Sequence, residues 1–418
     1  MDPGANKTHI GILHYTAPPV IGGVEAVMQA QTKYLTRHGY AVSVVAGRGE
    51  PSALPSGASL ILLPKLDSQD AQILEINASL ERGELPEEFE ALVTELVHSL
   101  RPVVAGLDHL IVHNVYSKHF NLALTAALQR LIESNAIRHL IAWCHDISWT
   151  SPSSRAKVHP GYPWDLLRSA HPGVSYVTVS ADRQEALASL FGCPAEQIQL
   201  IYNGVDPATL LGLSAQGVEL AERLDLMASD LTLLMPVRVT RAKNIEYALQ
   251  VLAALKRSVS PKLIVTGPPD PHDPENMAYY QSLQKLRRSL GIENEACFIY
   301  ESGPEANAPF FIDERVVGDL YRLSDIMFMP SHREGFGMPV LEAGLAGLPV
   351  VCTGIPAARE IGNAQVTIFA VDESPESLAD QMLELMETNP RSKFRRSVRQ
   401  NYTWEALFQR QIEPLLNG

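Results

Sequence analysis

Short apolar runs alternate with helix-period segments along nearly the whole chain, and this alternation restricts the possible folds more than any other feature. Near the start, the β-type run THIGILHY leads into a Pro/Gly-rich loop, a helix-period segment that closes at Gly39, and a second strand-like run, YAVSVVAG. This order predicts a strand–helix–strand unit with its loop at the carboxyl end of the first strand. Repeated units of this kind predict a parallel sheet with crossover helices.

The alternation restarts after residue 206. The strand-like runs LTLLMPVRV, PKLIVTG, IMFMP and PVVCTG are separated by helix-period segments in the second half of the sequence. We therefore predict an α/β protein with two Rossmann-like parallel-sheet domains that face each other across a cleft. The predicted N-terminal domain covers residues 1–205, and the predicted C-terminal domain covers residues 206–401.

Composition and charge exclude several classes of protein. The formal net charge of −13 argues against a nucleic-acid ligand, because such ligands require a concentrated basic surface. No apolar run reaches the roughly 18 residues of a spanning helix, and the first residues lack the order of a signal peptide. These features predict a cytoplasmic protein without stable membrane insertion. The four cysteines are scattered along the chain, which predicts free thiols.

The loop SHREGFGMPV, between a predicted strand and a predicted helix, has the clearest ligand-binding pattern. Gly335 and Gly337 let the backbone approach a ligand closely, and the amides at the helix start favour an anion such as phosphate. Glu334 and Glu342 would lie about 12 Å apart along a helix axis, too far for the carboxylate pair of a glycosidase. They suit two sets of hydroxyls on either side of a diphosphate. The alternative is that both are solvated surface acids.

A second group of residues follows the first strand of the second half. Arg238 and Lys243 lie between the strand LTLLMPVRV and the next helix, so both can point toward the same ligand. A guanidinium and an ammonium there would stabilise the charge that develops on a departing diphosphate. Arg241 is the competing candidate, and basic residues in such loops are often ordinary surface charges.

These residues resemble a known family. EGFGMPVLE resembles the E-x7-E signature, and Arg238 with Lys243 resembles the R-x4-K pair, of the family-4 retaining glycosyltransferases with the GT-B architecture. GGVE at 22–25 and IYNGVD at 201–206 resemble two further blocks of the family. The resemblance implies a nucleotide-diphosphate sugar donor bound mainly by the C-terminal domain and an acceptor bound mainly by the N-terminal domain. It also implies a last helix, at about 402–418, that crosses back to the N-terminal domain.

The resemblance assigns donor contacts to the glycine-rich loop. Glu334 would bind hydroxyls of the donor sugar. The backbone at Gly335, Phe336 and Gly337 would lie near the sugar and phosphate. Glu342 would hold the ribose.

Further roles follow from the same resemblance. Arg238 and Lys243 would bind the diphosphate, and Gly22 with Gly23 would close on it from the opposite domain. His145 resembles the family's histidine close to the transferred sugar. A histidine that ends an apolar strand is also commonly a residue of the core or rim, and both interpretations stay open.

The predicted chemistry needs no metal and no cofactor. The sequence contains no Asp-x-Asp triplet, so Arg238 and Lys243 would neutralise the diphosphate themselves. Retention of the anomeric configuration without an evident nucleophile predicts same-face attack. In such an attack the leaving phosphate oxygen takes the acceptor proton.

The predicted acceptor is a small soluble molecule, namely a sugar, a polyol or a glycerate-like acid, because residues 1–205 are not net basic. Candidate acceptor contacts are His113, Asn114 and Tyr116, just after the run DHLIV. The sequence does not specify the nucleotide, the sugar, the linkage, the oligomeric state, or the role of the loops at 267–280 and 301–316.

Three other functions stay open. A sugar-nucleotide epimerase would release an altered nucleotide-sugar without any acceptor. A non-catalytic sugar-nucleotide sensor would keep the phosphate contacts alone. A pyridine-nucleotide dehydrogenase is disfavoured, because GILHYTAPPVIGG contains no G-x-G-x-x-G after its strand.

Overall fold

The computed structural model describes residues 8–269, 274–305 and 308–417. The chain divides into two compact units. The first unit contains Met1–Val205 together with Tyr402–Gly418, and the second unit contains Asp206–Asn401. Within the described residues, no helix combines the length and apolar character needed to cross a membrane. All four cysteines are free thiols, as predicted.

The described part of the first unit contains one sheet of seven parallel strands. They are β1 His9–Leu13, β2 Ala41–Ala46, β3 Ala58–Leu62, β4 His109–His113, β5 Leu140–Cys144, β6 Val174–Thr178 and β7 Gln199–Leu200. Their spatial order is β3-β2-β1-β4-β5-β6-β7. The order reverses between β1 and β4, and in such sheets ligands bind outside the carboxyl ends of the strands at this reversal.

Helices cover both faces of this sheet. They are α1 Gly23–Arg37, α2 Ala71–Leu80, α3 Glu88–Val104, α4 Leu122–Glu133 and α5 Ala181–Phe191. Successive side chains of a strand point to opposite faces, so Ile10 and Ile12 of β1 belong to one apolar cluster and Leu13 to another. Because both faces are buried, the strands are nearly continuous apolar runs, which is why they could be recognised in the sequence.

The second unit repeats this architecture. Its strands are β8 Leu231–Met235, β9 Pro261–Val265, β10 Ala296–Phe298, β11 Ile326–Met329, β12 Val350–Thr353 and β13 Thr367–Phe369. Its helices are α6 Pro207–Leu210, α7 Ala215–Arg223, α8 Ile245–Leu255, α9 Pro274–Ser289, α10 Glu314–Leu323, α11 Met338–Ala346, α12 Pro375–Thr388 and α13 Pro390–Asn401. The parallel strands lie in the order β10-β9-β8-β11-β12-β13, so the reversal falls between β8 and β11.

The last residues return to the first unit. Two short helices, α14 Trp404–Leu407 and α15 Glu413–Asn417, flank a π-helical turn at Phe408–Ile412. Trp404 and Phe408 are buried in the same apolar cluster as Ile10 and Ile12 of β1. The predicted α/β class with two parallel sheets, and the return of the C-terminal helix, are therefore confirmed.

Three details differ from the sequence prediction. Strand β8 ends at Met235, whereas the predicted run extended to Val239, because Pro236 has no N–H with which to continue the ladder. The dipeptide Asn-Gly at 203–204 favours a turn, but these residues are irregular. A Cβ on Gly204 would lie 2.8 Å from Trp404 atoms, so this glycine serves close packing. Strands β3, β7 and β13 were not predicted.

Candidate active site

The two loops at the reversal of the second sheet carry the sequence-predicted charged residues. The loop after β8 contains Arg238 and a 3₁₀ turn at Arg241–Lys243, and the loop after β11 contains Glu334. The two loops are joined by a backbone hydrogen bond of 2.9 Å from the His332 amide to the Ala242 carbonyl. Residues far apart in sequence thus meet at the edge where this fold binds ligands.

Lys243 and Glu334 form an ion pair at this edge. Lys243 Nζ lies 2.5 Å from Glu334 Oε1, and the two side chains are only 19% and 10% exposed. Ser331 Oγ donates to the same carboxylate oxygen at 2.7 Å. Both contacts use Oε1, so Oε2 has no hydrogen-bond donor among the described residues and is available to a ligand hydroxyl.

A buried hydrogen bond supports the Glu334 loop from the neighbouring strand. Thr353 Oγ1, at the end of β12, donates to the Ser331 carbonyl at 2.6 Å. Ser331 in turn donates to Glu334, so the carboxylate is oriented by the sheet beneath it. An oriented carboxylate loses less conformational entropy on binding than a free side chain.

The glycines after Glu334 differ in what they permit. Gly337 has a φ of +105°, and a Cβ there would lie 2.7 Å from Ile355 Cδ1, so the fold itself requires glycine. A Cβ on Gly335 would have no atom within 4 Å. The fold therefore does not require glycine at that position. Open space lies beside the exposed backbone there.

Phe336 and Glu342 lie on either side of the helix start. The Phe336 carbonyl accepts a hydrogen bond from the Ala357 amide at 3.0 Å, and the Phe336 ring is partly exposed. Glu342 lies inside α11 and is exposed. Tyr321 OH donates to Glu342 Oε2 at 2.6 Å, which fixes the direction of the carboxylate. Burial and this carboxylate both raise the pKa of Tyr321, so the phenol remains a donor at neutral pH.

The arginines of the β8 loop have different surroundings. Arg238 is exposed, and the Gly267 backbone packs so closely that a Cβ there would meet Arg238 Cα at 2.7 Å. The Arg241 guanidinium lies 4.9 Å from the centroid of the Tyr279 ring. Arg241 is exposed, as expected for a surface charge, and it also makes this cation–π contact with an aromatic ring.

At the reversal of the first sheet, the GGVE segment has a structural explanation. Glu25 is buried in the first turn of α1, and Thr16 Oγ1 donates to Glu25 Oε1 at 2.5 Å. A Cβ on Gly22 would lie 2.1 Å from Glu25 Oε2, so only glycine lets this carboxylate fold back against its own helix start. Gly23 is the first residue of α1, and a Cβ there would have no atom within 4 Å.

Three histidine side chains, those of His14, His113 and His145, form a hydrogen-bonded row beside this carboxylate. His14 Nδ1 lies 3.0 Å from the His113 carbonyl, and His14 Nε2 lies 3.9 Å from Glu25 Oε1. His113 Nδ1 lies 3.0 Å from His145 Nε2, and His113 Nε2 lies 3.0 Å from Gln31 Oε1. This row of histidines thus connects the carboxyl end of β1 to the carboxyl ends of β4 and β5.

The three histidines of this row are neutral at pH 7. Burial lowers the pKa of His113 far below its usual value, and the neighbouring His145 lowers it further. Burial, with His14 nearby, lowers the pKa of His145 to about 4. Since Gln31 Oε1 can only accept, neutral His113 carries its proton on Nε2 and accepts from His145 at Nδ1. His145 therefore keeps Nδ1 as a free acceptor.

The predicted acceptor residues are interior in this structure. The His113 ring is fully buried, and Asn114 has a left-handed backbone with φ of +61°. Asn114 Oδ1 accepts from the amides of His145 at 2.9 Å and Asp146 at 3.3 Å, so it shapes the loop after β5. Tyr116 is 1% exposed and lies in the apolar core. An acceptor role for these three residues stays a prediction.

The structure therefore brings the predicted residues into two groups. The first group, Lys243, Glu334 and Arg238, lies in the loops after β8 and β11, where the strand order of the second sheet reverses. Gly22, His113, Asn114 and His145 share the network at the reversal of the first sheet, whereas Tyr116 packs in the core.

Sequence reasoning missed three members of the network in the first unit, namely His14, Glu25 and Gln31. Only Glu25 had a sequence signal, as the acid of GGVE. The described residues contain no group of three or more histidines, cysteines or acids placed to hold a metal. The loops at 267–280 and 301–316 lie partly outside the described residues, which omit 270–273 and 306–307.

The fold and its two sets of loops define a doubly wound α/β protein of two units, and family comparisons narrow this class. Residues 21–209 match the model described as Glycosyltransferase Family 4, and residues 220–403 match the model described as Glycosyl transferases group 1. The chain is therefore similar to glycosyltransferases in both of its halves.

Three curated relatives match part of the chain. An uncharacterized glycosyltransferase of Methanocaldococcus jannaschii is 26% identical over 50% of this chain and 50% of its own length. A mannosylglucosylglycerate synthase of Petrotoga mobilis is 23% identical over 61% of each chain. A D-inositol 3-phosphate glycosyltransferase of Xylanimonas cellulosilytica is 26% identical over 50% of this chain and 48% of its own. The chain thus spans about half to three-fifths of the length of these relatives.

Among solved structures, similarity to sucrose-phosphate synthase from Thermosynechococcus elongatus covers 98% of each chain at 16% identity, with a TM-score of 0.38.

Proposed function

We propose that this protein is a retaining glycosyltransferase. It would transfer a hexose from a nucleotide-diphosphate sugar to a hydroxyl of a small acceptor, such as a sugar, a polyol or a glycerate-like acid, without a metal ion. The observation that carries the proposal is the Lys243–Glu334 pair, which joins the two loops at the reversal of the second sheet. The family matches to glycosyltransferase models support the same class of reaction.

The pair offers both kinds of group that a sugar diphosphate needs. Lys243, together with Arg238 on the same loop, would bind the diphosphate through charge-assisted hydrogen bonds. Glu334 Oε2 would accept hydrogen bonds from hydroxyls of the donor sugar. The amides at the start of α11 would add a positive partial charge near the phosphates. Glu342, oriented by Tyr321, would accept from the ribose hydroxyls.

The transfer step balances without an enzyme nucleophile. The bond between the sugar C1 and the phosphate oxygen breaks, and the acceptor oxygen bonds to C1 on the same face. The acceptor proton passes to the leaving phosphate oxygen. Arg238 and Lys243 would stabilise the diphosphate as its charge increases, so their effect is greatest in the transition state.

His145 would contribute by orientation rather than by charge. Its ring is neutral at pH 7 because burial lowers its pKa to about 4. Its Nδ1 could therefore accept a hydrogen bond from a sugar hydroxyl, while its Nε2 is held by His113. Gly22 and Gly23 would let the start of α1 approach the donor.

The names of two relatives support a small hydroxylated acceptor. One relative is named for mannosylglucosylglycerate, and another is named for D-inositol 3-phosphate. Both names contain a small hydroxyl-rich compound, which is the kind of molecule proposed as the acceptor.

A donor and acceptor screen tests the proposal. Purified protein is incubated with UDP-, GDP- and ADP-hexoses, with and without each acceptor, in the presence of excess EDTA. We expect nucleotide release that depends on the acceptor, a glycoside product by mass spectrometry, and an anomer that matches the donor by NMR. An altered nucleotide-sugar formed without acceptor would indicate an epimerase. Donor binding without turnover would indicate a sensor. Loss of activity in EDTA, with recovery on adding Mg²⁺ or Mn²⁺, would contradict the metal-free step.

A further inference from the structure

A cavity of about 330 Å³ lies at the carboxyl edge of the first sheet. Its walls come from segments that follow three strands, namely Gln69 after β3, His119 and Phe120 after β4, and Lys157 after β5, together with Asn77 of α2 and Glu81 immediately after α2. This volume is at the small end of the range of ligand pockets.

The cavity wall combines an aromatic face with neutral or paired polar groups. The Phe120 ring is 39% exposed. Lys157 Nζ lies 2.9 Å from Glu81 Oε1, so these two charges compensate each other. Burial lowers the pKa of His119 to about 4, and His119 Nδ1 is hydrogen-bonded to Ser148 Oγ at 2.8 Å. Leu74 and Ala78 add apolar surface, so the wall can contact both the carbon skeleton and the hydroxyl groups of a small molecule.

One cation beside the cavity, Lys118, forms no ion pair with an acid of the described residues. Lys118 is 8% exposed, and its Nζ lies 4.7 Å from the centroid of the Phe120 ring that lines the cavity. Its one hydrogen bond to a side chain goes to Ser154 Oγ at 3.3 Å. No carboxylate of the described residues forms an ion pair with it within 4 Å. An ammonium has three N–H donors, so this buried group retains capacity to bind an acceptor atom.

The neighbouring charges are already committed to one another. Arg183 lies 2.8 Å from Asp182 and 3.8 Å from Asp146, and Lys157 is paired with Glu81. Burial lowers the pKa of Lys118. Asp146 raises this pKa, whereas Arg183 and Lys157 lower it. A buried cation is costly unless it is paired. A bound oxyanion would supply the missing partner.

We propose that Lys118 binds the carboxylate or phosphate of an anionic acceptor, whose hydroxyl-bearing remainder lies in the cavity beside Phe120. This inference rests on the proposed function and narrows its acceptor class from small hydroxylated molecules to small acids. Lys118 acts in this site as the residue that selects acids over neutral analogues of the same shape.

The test compares acceptors that differ only in the anionic group. The pairs are glycerate and glycerol, glucosylglycerate and glucosylglycerol, and inositol phosphate and inositol. For the unaltered protein, we expect a KM at least about 10-fold lower for the acid of at least one pair. The pair that discriminates identifies carboxylate or phosphate as the recognised group. Equal KM values within all three pairs would overturn the proposal, and this measurement needs no variant.

Lys118→Met removes the charge and keeps most of the side-chain volume. We expect the KM for the acid to rise about 10- to 100-fold, while the KM for the neutral partner changes by less than about threefold. Lys118→Arg should retain part of the preference. The matched control is Lys33→Met, which also removes an ammonium placed over an aromatic ring, that of Tyr34, in α1. Equal changes for acid and neutral acceptors would contradict the assignment.

Calorimetric titration of the same acids, without donor, separates this inference from the proposed function. Acid binding that Lys118→Met abolishes and Lys33→Met preserves supports the site even if no transfer occurs. Transfer to neutral acceptors with no preference for acids would leave the proposed function standing and remove this inference.

Discussion

Lys243 Nζ and Glu334 Oε1 lie 2.5 Å apart, and this contact adds a side-chain link to the backbone hydrogen bond that joins the loops after β8 and β11. The pair is largely shielded from solvent, so its attraction is less screened than that of a surface pair. It holds a cation and a carboxylate in place before any ligand arrives. A donor could then bind both groups without a large rearrangement of either loop.

Removal of Lys243 or Arg238 should reduce turnover more than donor affinity. If both side chains stabilise a departing diphosphate, Lys243→Ala and Arg238→Ala should each lower kcat by about 100-fold or more. Donor dissociation constants should change much less. Steady-state kinetics and calorimetry on the same preparations make the comparison.

Arg241→Ala is the matched control for this experiment, because its guanidinium is engaged with the Tyr279 ring. Its kcat should stay within a few-fold of the unaltered protein. An impaired Arg241→Ala together with a normal Arg238→Ala would move the diphosphate contact to Arg241. Affinity loss alone in the Lys243 and Arg238 variants would favour a sensor.

Glu342→Ala should weaken donor binding and leave the fold intact. A buried ribose would lose its hydrogen-bond acceptor, at a cost of about 1 to 3 kcal/mol. Tyr321→Phe should give a smaller loss, since it removes only the hydroxyl that orients this carboxylate. Calorimetry with the nucleotide diphosphate measures both, and unchanged affinity in Glu342→Ala would exclude the ribose contact.

Two glycines of one loop should respond differently to alanine. Gly337→Ala should lower the free energy of unfolding by about 1 to 3 kcal/mol, because φ is +105° and the added Cβ meets Ile355. Gly335→Ala should unfold normally, since nothing surrounds the added Cβ. If the donor approaches this backbone, Gly335→Ala should still weaken donor binding. Thermal unfolding and donor titration separate these effects, and normal donor binding in Gly335→Ala would argue against close approach there.

Protonation of His145 should make the first unit less stable in mild acid. Its pKa in the folded chain is about 4, below the ordinary value of 6.5. The unfolded chain therefore binds more protons between these values, and stability falls as the pH decreases from about 6.5 toward 4. For this one group we expect a loss of about 1 kcal/mol between pH 7 and pH 5.5. His145→Gln should lack this contribution.

Tryptophan fluorescence during urea unfolding measures this effect in the correct unit. All four tryptophans, Trp143, Trp149, Trp164 and Trp404, belong to the first unit. His98→Gln, at an exposed position of α3, controls for loss of a histidine as such. An identical pH dependence in His145→Gln and the unaltered protein would contradict the prediction.

Buried parallel strands made the fold class predictable, whereas edge elements were not. Strand β3, ASLIL, is only partly buried at the sheet edge, so its apolar pattern is weak. Strand β7 has two residues, too few for any periodicity. Glu334 and Lys243 could be chosen as separate residues from their loops, but their contact spans 91 residues of sequence. The Gln31–His113 contact spans 82 residues, and no local pattern signals it.

Return of the last residues to the first unit has a consequence for biosynthesis. Trp404 and Phe408 complete the apolar cluster that contains Ile10 and Ile12. A ribosome must therefore add about 200 further residues, roughly 10 to 40 s of translation, after Val205 before that cluster can close. Throughout this interval the nascent chain exposes an apolar face that chaperones can bind. We infer that the second unit can finish folding before the first.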